Sequence, residues 1–98
     1  MIDHLKLFGY KYYHTRYSLG SNAGFPDLVA VKGGRLLFIE LKTERGKCND
    51  AQTDWGERLL LAAAHNPGVE YLIWRPSDLS CGDIERTLRV SLEESTDV

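Results

Sequence analysis

The sequence predicts a mixed α/β protein with one central sheet flanked by helices. Two β-prone runs, residues 27–31 and 36–42, are joined by two consecutive glycines. This is a strong signal for a β-hairpin with a type I′ turn, because both central positions of that turn need a positive φ. A helical segment that begins at Asn49 precedes a further apolar strand at residues 69–74. Because a helical crossover makes the next strand parallel to its neighbour, we expect both antiparallel and parallel pairs in the sheet.

The elements before the hairpin are a short helix and an aromatic strand. Apolar residues recur over residues 1–8 and Gly9 follows them, which predicts a helix with a glycine at its end. Residues 10–17 are rich in tyrosine and favour a strand, and residues 18–25 form a turn-rich connection.

The segment after the hairpin predicts an amphipathic helix. Asn49 is a natural N-cap, and the apolar face that follows comprises Trp55, Leu59, Ala62 and Ala63. The two tryptophans of the chain are expected in the core.

The last third of the chain predicts a strand, a turn and a final helix. A Pro-Gly pair at residues 67–68 ends the preceding helix. A turn that begins near Arg75 leads to the final helix, for which Ser77 is a candidate N-cap. The acidic tail from about residue 93 to 98 is expected to fray. The predicted order is therefore α-β-β-β-α-β-α.

Size and composition indicate a single domain over residues 1–98 with one modest core. No apolar run approaches the roughly 20 residues of a membrane-spanning helix, and the polar N-terminus does not resemble a signal peptide. The two cysteines, Cys48 and Cys81, are not clustered with each other or with histidines. These features predict a cytoplasmic protein with reduced thiols rather than a disulfide framework or a zinc site.

The net charge of −2 hides an asymmetry along the chain. Residues 1–47 contain eight Lys or Arg and four Asp or Glu, a balance of +4, whereas residues 48–98 contain four and ten, a balance of −6. One face could therefore attract phosphate while the rest stays acidic. Scattered surface charge explains the same composition equally well, so composition alone does not decide between them.

The predicted hairpin places three charged residues together. With a two-residue turn, the numbers of opposed residues sum to 67, so that Asp27 faces Glu40 and their side chains point to the same side. The period of two places Lys42 on that side as well. Since both faces of the second strand begin with apolar residues, these charges should lie at one end of a largely buried face.

Two adjacent carboxylates and one lysine favour a divalent cation. Hard oxygen ligands at this separation suit Mg²⁺ or Mn²⁺, and the ion would relieve the repulsion between Asp27 and Glu40. The alternative is an ion pair of Lys42 with one carboxylate, without any chemistry. An ion pair requires one carboxylate and not two, so the metal site is the preferred interpretation.

These residues carry a resemblance to a known family. The stretch "GFPDLVAV…LLFIELKTERGK" resembles the PD-(D/E)XK nuclease motif, with Pro26 and Asp27 as its PD and residues 40–42 as its ExK. The continuations "AQTDWGERLLLAA" and "YLIWRPSDL" are similar to the virus-type replication-repair nuclease (VRR-NUC) domains. The resemblance extends from about Phe8 to Leu88, and it implies a restriction-endonuclease-like core.

The resemblance implies metal-dependent phosphodiester hydrolysis. Asp27, Glu40 and the backbone carbonyl of Leu41 would hold the Mg²⁺ or Mn²⁺ ion. Lys42 would orient the attacking water or stabilise the developing negative charge. Gln52 matches a glutamine near the catalytic centre of the family, but it also lies three residues after Asn49, where a capping box would use it. The two interpretations of Gln52 stay open.

The resemblance also implies a partner. Stand-alone VRR-NUC proteins occur mostly in phages and prophages, and they resemble homodimeric resolvases of four-way (Holliday) junctions. We therefore expect a homodimer that cuts branched DNA in the cytoplasm of a bacterial host. The candidate DNA contacts beside the site are Arg16, Arg45, Lys47, Arg75 and His14, which would position the backbone without reading sequence.

One departure from the family keeps alternatives open. Relatives carry a glutamate on a longer first helix, and this sequence has no counterpart because Asp3 lies too near Gly9 to replace it. A non-catalytic DNA-binding or assembly module with the nuclease fold is therefore one alternative. A nuclease that prefers flaps or free ends is the other.

Overall fold

The computed structural model describes residues 2–15 and 24–96, with side chains as far as residue 89. The order of elements is α-β-β-β-α-β-α-α. Their bounds are α1 Ile2–Leu7, β1 Lys11–His14, β2 Leu28–Lys32, β3 Arg35–Leu41, α2 Asp50–His65, β4 Val69–Trp74, α3 Pro76–Ser80 and α4 Asp83–Thr96. The predicted α/β class is confirmed, and one helix more is present than the sequence predicts.

The four strands form one mixed sheet in the order β1-β2-β3-β4. β2 is antiparallel to β1 and β3, and β3 is parallel to β4, as the helical crossover predicts. Val31 faces Leu36 and Val29 faces Phe38, so the predicted register of the hairpin is confirmed.

The hairpin turn differs from the predicted type. A type I′ turn needs a positive φ at both central glycines, but only Gly33 has one, at 55°. A positive φ at the first central position alone is the pattern of a type II′ turn. Because both types close a two-residue loop, the register of β2 against β3 is the same in either case.

The main core lies on the face of the sheet that α1 and α4 cover. The helices contribute Leu5 from α1 and Ile84 and Leu88 from α4. Phe8, which follows α1, packs with them. The sheet contributes Leu28, Ala30, Leu37, Ile39 and Trp74 to the same cluster, and Tyr10, directly before β1, belongs to it as well. Burial of these apolar side chains supplies most of the driving force for folding.

Helix α2 covers the opposite face over β3 and β4. The ring of Phe25 packs edge to face against Phe38 at 6.0 Å and against Trp55 at 4.8 Å. β3 is therefore covered on both faces, as predicted for a central strand. Of the two tryptophans, Trp74 lies in the main core, and Trp55 packs on this second face.

The end of the chain departs from the predicted single helix. α3 begins after Arg75 and ends after five residues, and α4 starts at Asp83. Gly82, with a φ of 83°, separates the two helices. α4 reaches Thr96 and so contains most of the acidic tail that the sequence predicts to fray. Among the described residues, no helix has the length and apolar content needed to cross a bilayer.

Candidate metal centre

Asp27 and Glu40 lie at the same end of two neighbouring strands. Asp27 directly precedes β2, and Glu40 is the second-to-last residue of β3. Because Val29 and Phe38 are opposed two residues further along, Asp27 and Glu40 belong to the same face of the sheet, the one that α2 covers. Oδ2 of Asp27 accepts a hydrogen bond from the backbone N–H of Leu41 at 2.9 Å, which fixes one carboxylate oxygen.

Glu40 is the most buried charged residue of the site, with 2% of its surface exposed. Its Oε1 accepts a hydrogen bond from Nε2 of Gln52 at 2.8 Å and lies 3.6 Å from Nζ of Lys42. Its Oε2 is buried, and no donor among the described residues reaches it. A buried carboxylate oxygen without a partner is costly, so this atom calls for a ligand.

The charges nearest to Glu40 act on it in opposite directions. The ammonium group of Lys42 lies 3.6 Å from its carboxylate, and the carboxylate of Asp27 is close enough to affect its pKa. Burial raises the pKa of Glu40, the nearby charge of Asp27 raises it further, and Lys42 lowers it only in part. The site therefore favours the uptake of positive charge, either as a proton or as a cation.

Gln52 forms the capping box and also contacts Glu40 and Lys42, so its geometry is compatible with both interpretations that the sequence leaves open. Its backbone N–H donates to Oδ1 of Asn49, and its Oε1 accepts from the backbone N–H of Asn49, each at 2.9 Å, which is a capping box. The same Oε1 accepts a hydrogen bond from Nζ of Lys42 at 2.7 Å, while Nε2 donates to Glu40. One side chain thus joins the start of α2 to Glu40 of β3 and to Lys42, which follows that strand.

The donor set of the site fits a hard divalent cation. The free Oε2 of Glu40 and the carboxylate of Asp27 are oxygen ligands of the kind that Mg²⁺ and Mn²⁺ prefer. Asp27 and Lys42 are partly exposed, so the site is open to solvent on their side. In residues 2–15 and 24–96, no group of three or more His, Cys, Asp or Glu residues comes together as a metal site. The role of the Leu41 carbonyl stays a prediction.

Thr15 holds the segment that carries Asp27, and sequence reasoning missed it. Its backbone N–H donates to the carbonyl of Asp27 at 3.0 Å, and its buried hydroxyl donates to the carbonyl of Pro26. The only sequence signal is a polar residue at the end of an aromatic strand. That signal becomes informative only when the register of β1 against β2 is known.

Tyr71 is a second residue of the site face that the sequence does not reveal. Tyr71 of β4 pairs with Phe38 of β3, and Ile73, two residues further along β4, pairs with Glu40. The side chain of Tyr71 packs under α2 at Gly56. Burial raises the pKa of its phenol, and electrostatic interactions with Cys48, Glu40 and Asp27 raise it further. The phenol therefore stays protonated near the site.

The basic residues predicted to contact DNA lie on different segments of the chain. Arg45 and Lys47 are exposed on the loop that follows Lys42. Arg75 follows β4, and its guanidinium donates to the backbone carbonyls of Thr43 and Gly46 in that loop. Arg16 lies outside the described residues.

His14 occupies the other side of the sheet. It pairs with Leu28, which points into the core beneath α1 and α4, and its ring packs edge to face on Tyr12 at 5.6 Å. Directly opposed residues share a face, so His14 and Glu40 are on opposite faces. Its contact with DNA stays a prediction.

Comparisons with protein-family models, with curated proteins and with solved structures found no match to this chain. The chemistry of the site and the sequence motif that it contains are therefore the grounds on which a function is proposed.

Proposed function

We propose that the protein is a Mg²⁺- or Mn²⁺-dependent endonuclease that hydrolyses phosphodiester bonds in DNA. The observation that carries the proposal is the buried Oε2 of Glu40, which lacks a donor and lies in the field of the Asp27 carboxylate. A divalent cation would satisfy this oxygen and offset the repulsion between the two carboxylates. An isolated ion pair with Lys42 would leave both problems unsolved.

The protein holds the two carboxylates in place before any cation binds. Gln52 engages Oε1 of Glu40, which leaves Oε2 for the ion, and the Leu41 N–H fixes one oxygen of Asp27. When bound, the ion lowers the pKa of water and neutralises charge on the phosphate. Ligands fixed in this way need little rearrangement on binding.

Lys42 supplies positive charge next to this pair. Its Nζ is held by Oε1 of Gln52 at 2.7 Å, and its side chain is 12% exposed. In that position the ammonium group can stabilise the negative charge that develops on a phosphate oxygen. A desolvated lysine is more effective in this role than one in bulk water, because the local dielectric is low.

The substrate class in the proposal rests on the resemblance to VRR-NUC domains. It comprises branched DNA, with four-way junctions as the first candidate, in phage or prophage replication or recombination. A restriction-endonuclease-like core and a homodimer with two active sites belong to the same proposal. A dimer would provide paired cuts and would enlarge the buried surface of a 98-residue protein.

A cleavage assay tests the proposal. Junction, flap and linear DNA of matched sequence are incubated with Mg²⁺, with Mn²⁺ or with a chelator. Wild type is compared with Glu40→Gln and Lys42→Ala, and with Glu57→Gln, which changes an exposed carboxylate of α2. We expect metal-dependent cutting by wild type and by Glu57→Gln, with loss of at least about 100-fold in the two site variants.

Two other outcomes would replace the proposal. If all four proteins bind DNA equally and none cuts, the non-catalytic binding module is the correct function. If linear ends or flaps are cut in preference to junctions, the enzyme belongs to the other class of nuclease.

A further inference from the structure

The loop between β3 and α2, residues 42–49, connects the two halves of the candidate site. It begins at Lys42, and it ends at Asn49, whose backbone N–H is bound by Gln52. Arg45 and Lys47 extend from this loop into solvent, and neither forms an ion pair or side-chain hydrogen bond with another described residue. Two unpaired cations therefore stand on the loop that leads from Lys42 to α2.

Arg75 holds the middle of this loop. Its Nη1 donates to the carbonyl of Thr43 at 2.6 Å and to that of Gly46 at 2.7 Å. The N–H of Gly46 also donates to the Thr43 carbonyl, at 3.3 Å, which closes a turn around Arg45. One guanidinium nitrogen thus bridges the two ends of the turn.

The segment after β4 holds the loop by a second contact. The carboxylate of Glu44 accepts a hydrogen bond from the backbone N–H of Ser77. The backbone N–H of Arg75 donates to Oδ2 of Asp78 at 2.7 Å, which fixes Arg75 itself at the start of α3. The loop is therefore held by two groups of this segment, the guanidinium of Arg75 and the backbone N–H of Ser77.

These contacts give Arg75 a different role from that of its neighbours. A guanidinium whose Nη1 is committed to the carbonyls of Thr43, Glu44 and Gly46 has fewer donors left for phosphate than an unpaired guanidinium. A loop that is ordered before binding loses less conformational entropy when it meets DNA. Contacts with the backbone carry most of the affinity for DNA, so the position of two cations affects it directly.

We propose that Arg75 is a positioning residue that fixes the loop of residues 43–47, so that Arg45 and Lys47 contact DNA phosphates beside the candidate metal centre. Arg75 itself does not contact the DNA. This inference rests on the proposed function, because it takes DNA as the partner of the loop.

Two measurements on the full chain test the inference. Hydrogen exchange of the free protein reports the loop, and fluorescence anisotropy with junction DNA, in chelator and over a range of salt, reports binding without cleavage. The variants are Arg75→Gln, the double variant Arg45→Gln/Lys47→Gln, the triple variant, and Arg75→Lys. Arg58→Gln, which changes an exposed arginine of α2, is the control.

If Arg75 fixes the loop, the amide of Gly46, which is bonded to the Thr43 carbonyl, should exchange faster in Arg75→Gln and at an unchanged rate in the double variant. The double variant should reduce the slope of log affinity against log salt by about 2, one for each phosphate contact. Arg75→Gln should weaken DNA binding about fivefold in the wild-type background, which is the effect expected for the loss of one ordinary hydrogen bond. In the double-variant background it should have almost no effect.

Other results would overturn the inference. If the amide of Gly46 exchanges at the same rate in Arg75→Gln as in wild type, Arg75 does not fix the loop, whatever the DNA measurements show. Equal weakening by Arg75→Gln in both backgrounds identifies Arg75 as a direct phosphate contact, and full rescue of DNA affinity by Arg75→Lys without rescue of exchange has the same meaning. If wild type binds no DNA although exchange changes as expected, the proposed function fails and the loop is not a phosphate-binding element.

Discussion

The side-chain amide of Gln52 donates a hydrogen bond to Oε1 of Glu40 at 2.8 Å, and this contact joins the first turn of α2 to the end of β3. The same side chain completes the capping box with Asn49 and accepts a hydrogen bond from Lys42. The geometry of the site is therefore coupled to the start of the helix. Substitution of Asn49 removes the helix cap alone, whereas substitution of Gln52 removes both the cap and the contacts with Glu40 and Lys42.

Gln52→Ala should impair both stability and cleavage, whereas Asn49→Ala should impair stability alone. Loss of the cap lowers the free energy of unfolding by about 1 kcal/mol in each variant. Only Gln52→Ala also frees Glu40 and Lys42, and loss of such a supporting contact reduces activity about 10–100-fold. Urea denaturation and the junction cleavage assay measure the two effects. If Asn49→Ala lost as much activity as Gln52→Ala, the amide contacts of Gln52 would have no separate role.

The raised pKa of Glu40 predicts how stability depends on pH in the metal-free protein. Burial and Asp27 raise this pKa above the ordinary 4.5, so the folded state retains its proton to a higher pH than the unfolded state. Between the two pKa values the folded state carries more protons, and the contribution of Glu40 to the free energy of unfolding falls as pH rises. Above the pKa of Glu40 in the folded state, the destabilisation caused by the ionised Glu40 no longer changes with pH.

Urea denaturation of wild type and Glu40→Gln over a range of pH isolates this contribution. The free energy of unfolding of Glu40→Gln minus that of wild type should grow as pH rises from about 4.5 through the raised pKa of Glu40, and it should then stay level. Mg²⁺ added above that range should stabilise wild type and not the variant. A difference that does not change with pH would show that Glu40 is not destabilised by its surroundings.

Thr15→Val should weaken the support of Asp27 while it preserves the shape of the side chain. The valine cannot donate to the buried carbonyl of Pro26, and loss of this bond lowers the free energy of unfolding by about 1–3 kcal/mol. Mn²⁺ affinity should fall as well, because the segment that carries Asp27 loosens. Thr15→Ser keeps the hydroxyl and is the control. Calorimetric titration with Mn²⁺ would contradict this account if the valine and serine variants bound alike.

Gly24→Ala should be strongly destabilising, in contrast to Gly34→Ala. A Cβ at Gly24 would lie 2.4 Å from the backbone carbon of Ala51, and the φ of 89° is unfavourable for alanine. The strain and the overlap together cost about 2–5 kcal/mol. Gly34 has open space around it, so its substitution should change thermal stability little. Similar losses in both variants would mean that the approach of this segment to α2 is not tight.

The sequence predicts those parts of the fold that local chemistry determines. The two glycines between β2 and β3 allow only a short turn, and a short turn sets the register that brings Asp27 and Glu40 together. The type of turn was wrong because either glycine can take a positive φ, and the sequence does not distinguish them. β4 was predicted with its observed bounds, since Gly68 and Pro76 stand on either side of its apolar run.

Features that depend on long connections could not be predicted. The register of β1 against β2 follows a connection of more than ten residues, so the contacts of Thr15 with Pro26 and Asp27 were missed. The face of His14 depends on that same register. Gly82 separates α3 from α4, and periodicity alone does not reveal such a break.

Anomalous diffraction from crystals soaked in Mn²⁺ tests the central claim most directly. The account predicts a peak about 2.1 Å from a carboxylate oxygen of Asp27 and from Oε2 of Glu40, with Oε1 of Glu40 still held by Gln52. The absence of a peak at this position, in crystals where Glu40 is ionised and open to the soak, would contradict it.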